Sequence, residues 1–259
     1  MKGTVPDTQD ETGRTSLHQA AVAGDAEEVL RLLSGGASPN TQDAHLQTPV
    51  TLAAERGLYG VVKILAEHSA TDINLQDSFG RTPLHWCAKR CDVNGLQALL
   101  GTGKANVNTK TTGGDTALHW ACSAEGGDAS AEGNFEERSL RSAEVLIGAG
   151  ADVRAKNDRD ERAQDLATDG AVVALLLSAT EELHKQEEDE AAETERNRVA
   201  AAEAKISGAS AGPTAASPMG AAAAWPEKQP NVGLAFSKQG SGSVVGAKKK
   251  MVIKLKKKP

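Results

Sequence analysis

The chain has 259 residues, of which 39% are hydrophobic and only 3% aromatic, and its formal net charge is −6. An interior rich in Ala, Leu and Val favours small, closely packed helices and disfavours a β-sandwich or a dinucleotide-binding sheet. No run of about 18 apolar residues occurs, so we expect no membrane span. The N-terminal residues lack an apolar signal region and cysteines are few, so we expect a reduced, cytoplasmic or nuclear protein.

The charge is distributed unevenly along the chain. Residues 1–180 hold 16 basic and 25 acidic residues, a net charge of −9, and residues 181–205 carry −5. Residues 206–259 carry +8. The positive charge is therefore concentrated at the C-terminal end, which needs an interpretation of its own.

One phrase recurs four times and organises the chain. Its clearest copy is Gly-Arg-Thr-Pro-Leu-His-Trp-Cys-Ala at 80–88, and its threonines are Thr15, Thr48, Thr82 and Thr116, at steps of 33, 34 and 34 residues. A period of about 33 residues with this phrase resembles the ankyrin repeat. The resemblance implies an all-α ankyrin-repeat solenoid of helix-turn-helix repeats with β-hairpin loops, used to bind partners and not for catalysis.

The repeats predict the organisation of the whole chain. A flexible N-terminus at 1–9 precedes the ankyrin-repeat domain at 10–178, which comprises repeats at about 10–41, 42–75, 76–109 and 110–157 and a degenerate cap at 158–178. An acidic, Gly-rich stretch at 125–138 interrupts the fourth repeat, either as a plain insertion or as a partner contact. A charged Ala/Glu-rich helix at 179–205, a disordered linker at 206–247 and a Lys-rich tail at 248–259 follow.

Three positions depart from the repeated pattern. Leu46 replaces the turn glycine of the second repeat, and Thr51 replaces its histidine. In the third repeat, Cys91 stands where a helix-ending glycine is expected.

The other copies of the phrase carry His18, His85 and His119. We expect each imidazole to bond the threonine of its phrase and nearby loop backbone, tying hairpin to helix. The alternative is a zinc site built from His85, Cys87, Cys91, His119 and Cys122. It is disfavoured because no Cys-x-x-Cys pair exists and because Cys87 and Cys122 fall on small, buried helix positions.

Catalytic patterns are weak. The stretch at 101–104, Gly-Thr-Gly-Lys, lacks the upstream glycine of a phosphate-binding loop and follows a helix instead of a strand. No nucleophile elbow or isolated acid–base pair is evident. We therefore predict no enzyme activity, no cofactor and no metal.

The resemblance places a binding groove along the hairpin tips and the first helix of each repeat. Residues predicted to contact a partner there are Phe79, Arg81, His45, Arg56, Lys89, Arg90, Trp86 and Trp120. Phe79 is the leading candidate because an aromatic at an exposed hairpin tip is buried on binding. Arg56, Lys89 and Arg90 form a basic strip on an acidic body. Trp86 and Trp120 occupy equivalent positions and are predicted to stack, either as packing or as a partner contact.

The basic end is the second candidate region, with contacts predicted at Lys248, Lys249, Lys250, Lys256, Lys257 and Lys258. Its charge suits nuclear import, contact with a polyanion or an inert solubilising role. It could also pair with a partner's sheet edge at 252–255, or fold back on the acidic segment at 181–195.

The leading function predicted from the sequence is a monomeric adaptor or scaffold that holds a protein partner. The alternative is a nucleic-acid- or ribosome-associated factor that uses the tail.

Overall fold

The structure is a computed structural model that describes residues 7–123 and 135–208, with side chains described as far as residue 201. The described residues form ten α-helices: α1 (Ser16–Ala23), α2 (Ala26–Ser34), α3 (Pro49–Arg56), α4 (Tyr59–Glu67), α5 (Pro83–Lys89), α6 (Val93–Gly101), α7 (Ala117–Cys122), α8 (Phe135–Gly148), α9 (Ala163–Leu166) and α10 (Gly170–Gly208). Within these ranges the only β-pairing is an isolated bridge between Lys156 and Arg162. The predicted all-α class is confirmed.

The helices form consecutive pairs that stack on one another. Helix α1 packs on α2, α3 on α4, α5 on α6 and α7 on α8. The first helices of successive pairs also pack on one another: α1 on α3, α3 on α5, α5 on α7 and α7 on α9. We call these five helices the first-helix row. The second helices, α2, α4, α6 and α8, form the second-helix row. Within the described residues, the main contacts of each pair are thus with the neighbouring pairs, as the predicted solenoid requires.

Helix starts in the first-helix row follow from the recurring threonine. Thr15, Thr82 and Thr116 are the N-caps of α1, α5 and α7, and in each case a histidine three residues later completes a reciprocal capping box. In α3, Thr48 Oγ1 accepts from the Thr51 backbone N–H instead. These bonds satisfy N–H groups that have no partner within the helix.

Positive φ angles recur at the hairpin turns, at the breaks between paired helices and in the exit loops, and the first two places include residues other than glycine. The hairpin turn places φ at 77° for Gly13, 73° for Gly80 and 77° for Gly114, but also at 59° for Leu46. The break between paired helices similarly gives Cys91 a φ of 50°. Leu46 and Cys91, the two departures at positions where glycine is expected, therefore carry a strained, left-handed backbone in the structure.

The core is continuous along the stack. Leu17, Val50, Leu84 and Leu118 come from the first-helix row and are at most 3% exposed. They join the second-helix row and Val172, Leu176 and Ala179 of α10 in one buried cluster. Each buried Leu stabilises the fold by about 2 kcal/mol, so adjacent repeats stabilise one another mainly through this shared interior.

Asparagines in the exit loops link successive repeats. Asn40 donates to the Ala70 carbonyl at 2.7 Å and accepts from the Asp72 N–H at 2.8 Å. Asn74 bonds Lys104 O and Asn106 N in the same way. Asn108 continues the series to Gly150 O and Asp152 N. Each of the first three repeats is thus tied to the next by two hydrogen bonds at its exit loop.

The insertion in the fourth repeat is shorter than predicted at its end. Helix α8 begins at Phe135, so residues 135–138 of the predicted 125–138 loop are helical. Glu136 and Glu137 in its first turn favour this earlier start because they interact with the helix dipole, and Arg141 pairs with Glu137 at 2.6 Å. The remainder, 125–134, lies outside the described residues.

One helix crosses the boundary predicted between the cap and the charged helix. The cap consists of α9 and the first turns of α10, and α10 continues through 179–205 as far as Gly208. The reason is local: no Gly or Pro interrupts residues 171–207. The first three residues of the predicted linker, 206–208, are therefore also helical, and 209–259 lie outside the described residues.

Residues 7–185 of the described chain belong to one compact unit, and residues 186–208 are the described part of a second, which is helical. In the second unit, residues 186–201 are exposed. Over the part of the chain that the structure describes, no helix has the length and apolarity needed to cross a membrane.

Candidate functional site

Five of the predicted contact residues lie together on the third and fourth repeats. Phe79 and Arg81 come from the third hairpin, Trp86 and Lys89 from α5, and Trp120 from α7. We call these five residues the aromatic–cation cluster.

The hairpin part of the cluster is held by the buried carboxylate of Asp77. Its Oδ1 accepts from the backbone N–H groups of Phe79 and Arg81, each at 2.9 Å. Its Oδ2 accepts from Arg81 Nε at 2.6 Å. Asp77 therefore fixes both the turn and the root of the guanidinium, while the Phe79 side chain remains 58% exposed.

Two cations lie over the aromatic rings. Arg81 Cζ is 4.6 Å from the ring centroid of Phe79 and 4.6 Å from that of Trp86. Lys89 Nζ is 5.5 Å from the centroids of both Trp86 and Trp120. Cation–π contacts of this length hold a charge in place without neutralising it.

The two tryptophans are in contact, but not stacked. Their ring centroids lie 5.8 Å apart at an interplanar angle of 90°, an edge-to-face arrangement. Trp86 is only 8% exposed and Trp120 is partly buried. Trp86 therefore contacts both cations and presents almost no surface of its own.

Hydrogen-bond donors exceed acceptors in the cluster. Arg81 uses Nε for Asp77, but its two Nη atoms have no acceptor among the residues described. Lys89 is exposed, and within the described ranges its ammonium group lies near the two tryptophan rings and has no hydrogen-bond or ion-pair partner. Trp86 Nε1 is buried without a hydrogen-bond partner. Arg81 and Lys89 thus offer donors for which the described chain provides no acceptor.

The other predicted contact residues do not join this cluster. His45 is exposed on the neighbouring hairpin, where its carbonyl accepts from the Ser78 N–H at 3.0 Å. Arg56 is exposed at the end of α3. Arg90 lies against Gly57 and donates Nη1 to the Glu55 carbonyl at 3.3 Å. In the predicted basic strip, Arg90 therefore packs against the second repeat, and Arg56 and Lys89 are the exposed members.

The three histidines connect each first helix to the next hairpin. In His85, Nδ1 accepts from the Thr82 N–H at 3.1 Å, and Nε2 donates to the Asp115 carbonyl at 3.3 Å. His18 bonds the Gln47 carbonyl and His119 the Glu161 carbonyl with the same geometry. This arrangement requires a neutral ring. Burial lowers the pKa of His18, and burial lowers that of His85 to about 4.

The cysteines are free, buried thiols. Burial raises the pKa of Cys87 well above its ordinary value and that of Cys122 to about 12, so both remain protonated. No cluster of three or more His, Cys, Asp or Glu residues in the described ranges is arranged to hold a metal ion. The cysteines of the alternative zinc site are buried in the packing between helices, and its two histidines form the hydrogen bonds described above.

Sequence reasoning missed Asp77, which positions the cluster. A signal was available, because the hairpins repeat an Asp followed four residues later by a long polar side chain, as in Asp10 and Arg14 or Asp77 and Arg81. The first pair shows the shared backbone bond, since Asp10 Oδ1 accepts from the Arg14 N–H at 3.0 Å. The six tail lysines predicted as contacts lie outside the described residues.

Comparison with known proteins shows to which family the chain is similar. The family described as "Ankyrin repeats (3 copies)" matches residues 1–77 and 52–157, which together exceed half of the chain. The Neurogenic locus Notch protein of Drosophila melanogaster is 43% identical over 67 residues, 26% of this chain and 2% of its own length. The human Transient receptor potential cation channel subfamily A member 1 is 38% identical over 66 residues, 26% of this chain and 6% of its own.

Alpha-latrotoxin-Lhe1a of Latrodectus hesperus is 40% identical over 75 residues, 29% of this chain and 5% of its own length. The chain therefore spans only a few per cent of the length of these relatives. With the family match, the recurring phrase and the stacked helix pairs in agreement, the chain belongs to the ankyrin-repeat family.

Proposed function

We propose that this protein is a non-catalytic adaptor or scaffold that holds a protein partner on its binding face, meaning the hairpin tips and the first-helix row. The observation that carries the proposal is the exposure of Phe79, at 58%, directly beside two cations whose donors have no acceptor in the described chain. Repeat solenoids use such extended surfaces to bind other macromolecules.

Phe79 has the properties of a binding anchor. Burying the exposed part of such a ring under a partner contributes on the order of 2 kcal/mol. The ring is attached to a hairpin fixed by Asp77 and by the bond from the Thr112 N–H to the Phe79 carbonyl at 3.0 Å. A rigid anchor loses little conformational entropy on binding, which favours affinity.

The relatives support a binding role over a particular activity. The names of those compared describe a neurogenic locus protein, a cation channel subfamily member and a latrotoxin. Similar repeats in proteins of such different kinds indicate a shared interaction module. For this chain, cytoplasmic or nuclear localisation and a monomeric state remain part of the proposal.

The test compares two exposed apolar residues on opposite rows. Phe79→Ala removes the anchor, and Leu30→Ala removes a similarly exposed residue, at 51%, from α2 in the second-helix row. Full-length wild type and both variants are used to capture partners from a cell extract. We expect Phe79→Ala to lose one or more partners that Leu30→Ala retains. Identical partner sets for all three proteins would refute the proposal.

A second function has a separate basis in the charge of +8 over residues 206–259. The Lys-rich tail would give a nucleic-acid- or ribosome-associated factor most of its affinity through phosphate contacts. Deletion of 248–259 then abolishes oligonucleotide binding and its steep salt dependence. Binding that persists with the same salt dependence after the deletion rules the tail out.

A further inference from the structure

We infer that the aromatic–cation cluster recognises a carboxylate in an acidic, leucine-flanked peptide segment of the partner. This inference rests on the proposed binding function and names the chemistry of the segment that the face accepts. The carboxylate lies between Arg81 and Lys89, and an adjacent apolar side chain packs on Phe79.

The first support is the excess of donors. Arg81 and Lys89 both hold their charged groups against the Trp86 ring, and Trp86 Nε1 is buried in the same cluster. Arg81 Nη1 and Nη2, Lys89 Nζ and Trp86 Nε1 have no acceptor within the described part of the chain. A guanidinium with two free Nη atoms matches the two oxygens of a carboxylate. Trp86 is 92% buried, and its N–H is the kind of buried donor that protein interiors normally satisfy.

The second support is that the cations are already positioned. Arg81 is held at its root by Asp77 and on its flanks by the Phe79 and Trp86 rings. Lys89 lies near both indoles at the C-terminal end of α5, where the helix dipole favours a positive charge. Little side-chain ordering is left to occur on binding.

Nearby acidic groups already have partners, so they leave the donors available to a ligand. Asp77 accepts from the third hairpin and from Arg81. Asp115, on the next hairpin, accepts from Asn157 Nδ2 at 2.9 Å. Glu55, in α3, accepts from Gln47 Nε2 at 3.0 Å.

Charge favours a short acidic peptide over a nucleic acid at this site. Residues 1–180 carry a net charge of −9, which repels a continuous row of phosphates. One or two carboxylates require only the local pair of cations, and the exposed Phe79 ring provides apolar surface for a neighbouring leucine.

The experiment uses full-length protein labelled with ¹⁵N and two capped hexapeptides. One peptide has two central glutamates flanked by leucines, and the other has glutamines in their place. The readout is the indole N–H spectrum, in which the chain's three tryptophans give three resonances and Trp86→Phe assigns the one of interest. We expect the glutamate peptide, and not the glutamine peptide, to shift the Trp86 resonance to saturation.

Charge variants locate the site. Lys89→Met should lower the affinity for the glutamate peptide roughly 2- to 5-fold, as expected for loss of an exposed ion pair. Lys89→Glu should lower this affinity about tenfold, because it also introduces a repulsive charge. Lys63 is an exposed lysine of α4 in the second-helix row and provides matched controls. Lys63→Met and Lys63→Glu should leave the affinity unchanged.

Equal binding of the two peptides would overturn the inference, as would equal losses for Lys63→Glu and Lys89→Glu. A Trp86 shift caused by a single-stranded oligonucleotide but not by the glutamate peptide would assign the cluster to nucleic acid instead. If neither peptide binds while Phe79→Ala still loses its partners, the adaptor function stands and the acidic-segment inference fails.

Discussion

Acid should loosen the junction between the third and fourth repeats through one buried histidine. His85 is 1% exposed, and its neutral ring both accepts from the Thr82 N–H and donates to the Asp115 carbonyl. Protonation of Nδ1 converts that acceptor into a donor facing another N–H. The perturbation is therefore a fall in pH, and His85→Gln is the variant that keeps an acceptor and a donor but cannot titrate.

The magnitude follows from the depressed pKa. Burial lowers the pKa of His85 from 6.5 to about 4, so protons bind the unfolded chain more tightly than the folded one. The stabilisation is present above pH 6.5 and is lost as pH falls through the window from 6.5 to about 4. At about 1.4 kcal/mol per unit of pKa difference, the loss is about 2 kcal/mol between pH 7 and pH 5 and about 3 kcal/mol below pH 4.

The assay is urea unfolding of full-length protein, followed by far-UV circular dichroism at pH 8, 7, 6 and 5. The quantity compared is the difference in unfolding free energy between wild type and His85→Gln, because other titrating groups then largely cancel. At pH 8 the wild type should have a larger unfolding free energy than His85→Gln. This difference should shrink by about 2 kcal/mol by pH 5. His45→Gln, at an exposed hairpin tip, should follow the wild-type curve. A difference that stays constant across this range would refute the reasoning.

Two further pairs of substitutions test the backbone geometry, each by urea unfolding. Leu46→Gly should stabilise the protein by about 1 kcal/mol, because it relieves a φ of 59° at a half-exposed side chain. Cys91→Gly should show no net gain, because relief of its φ of 50° is offset by loss of a side chain only 1% exposed; a larger gain there than at position 46 would contradict this account. Gly80→Ala should cost about 2 kcal/mol or more, since its Cβ would lie 2.8 Å from Thr112 N, whereas Gly36→Ala, with nothing within 4 Å, should cost about 1 kcal/mol. An equal loss of unfolding free energy for Gly80→Ala and Gly36→Ala would show that the hairpin backbone moves to accommodate the added Cβ, contrary to this account.

The sequence was sufficient to predict the repeat stack and its register. Each repeat contacts only its neighbours, so one recurring phrase determines where every first helix begins. Thr82 and His85 illustrate this, because the same two side chains recur at Thr116 and His119 with the same bonds. Leu46 and Cys91 could be identified as departures for the same reason, because the repeat register shows where glycine is expected.

The arrangement of the cluster could not be read from the register. Repeat spacing places Phe79, Arg81 and Lys89 on one face, but it does not specify which ring each cation contacts. Those contacts depend on the edge-to-face packing of two indoles from adjacent repeats and on a buried carboxylate at Asp77. Side-chain packing between repeats, and not the period, decides these details.

Two helices also extend past limits predicted from composition, for a different reason. The Gly-rich, acidic composition of 125–138 predicts an insertion as far as residue 138, yet the acidic residues at 136 and 137 lie in the first turn of a helix. Similarly, a change in composition near residue 179 suggested a new segment, although no helix-breaking residue lies there. Composition marks a change of environment, whereas glycine, proline and capping residues mark the ends of helices.

The most direct test of the binding face is site-specific photo-crosslinking in cells. A photoreactive phenylalanine analogue is introduced at position 79 on the third hairpin or at position 30 on α2, in otherwise wild-type full-length protein. Both side chains are exposed, at 58% and 51%, so their access to a partner differs only in the row they occupy. We predict a defined protein adduct from position 79 and none from position 30. Adducts from position 30 alone would place the partner on the second-helix row and contradict the account.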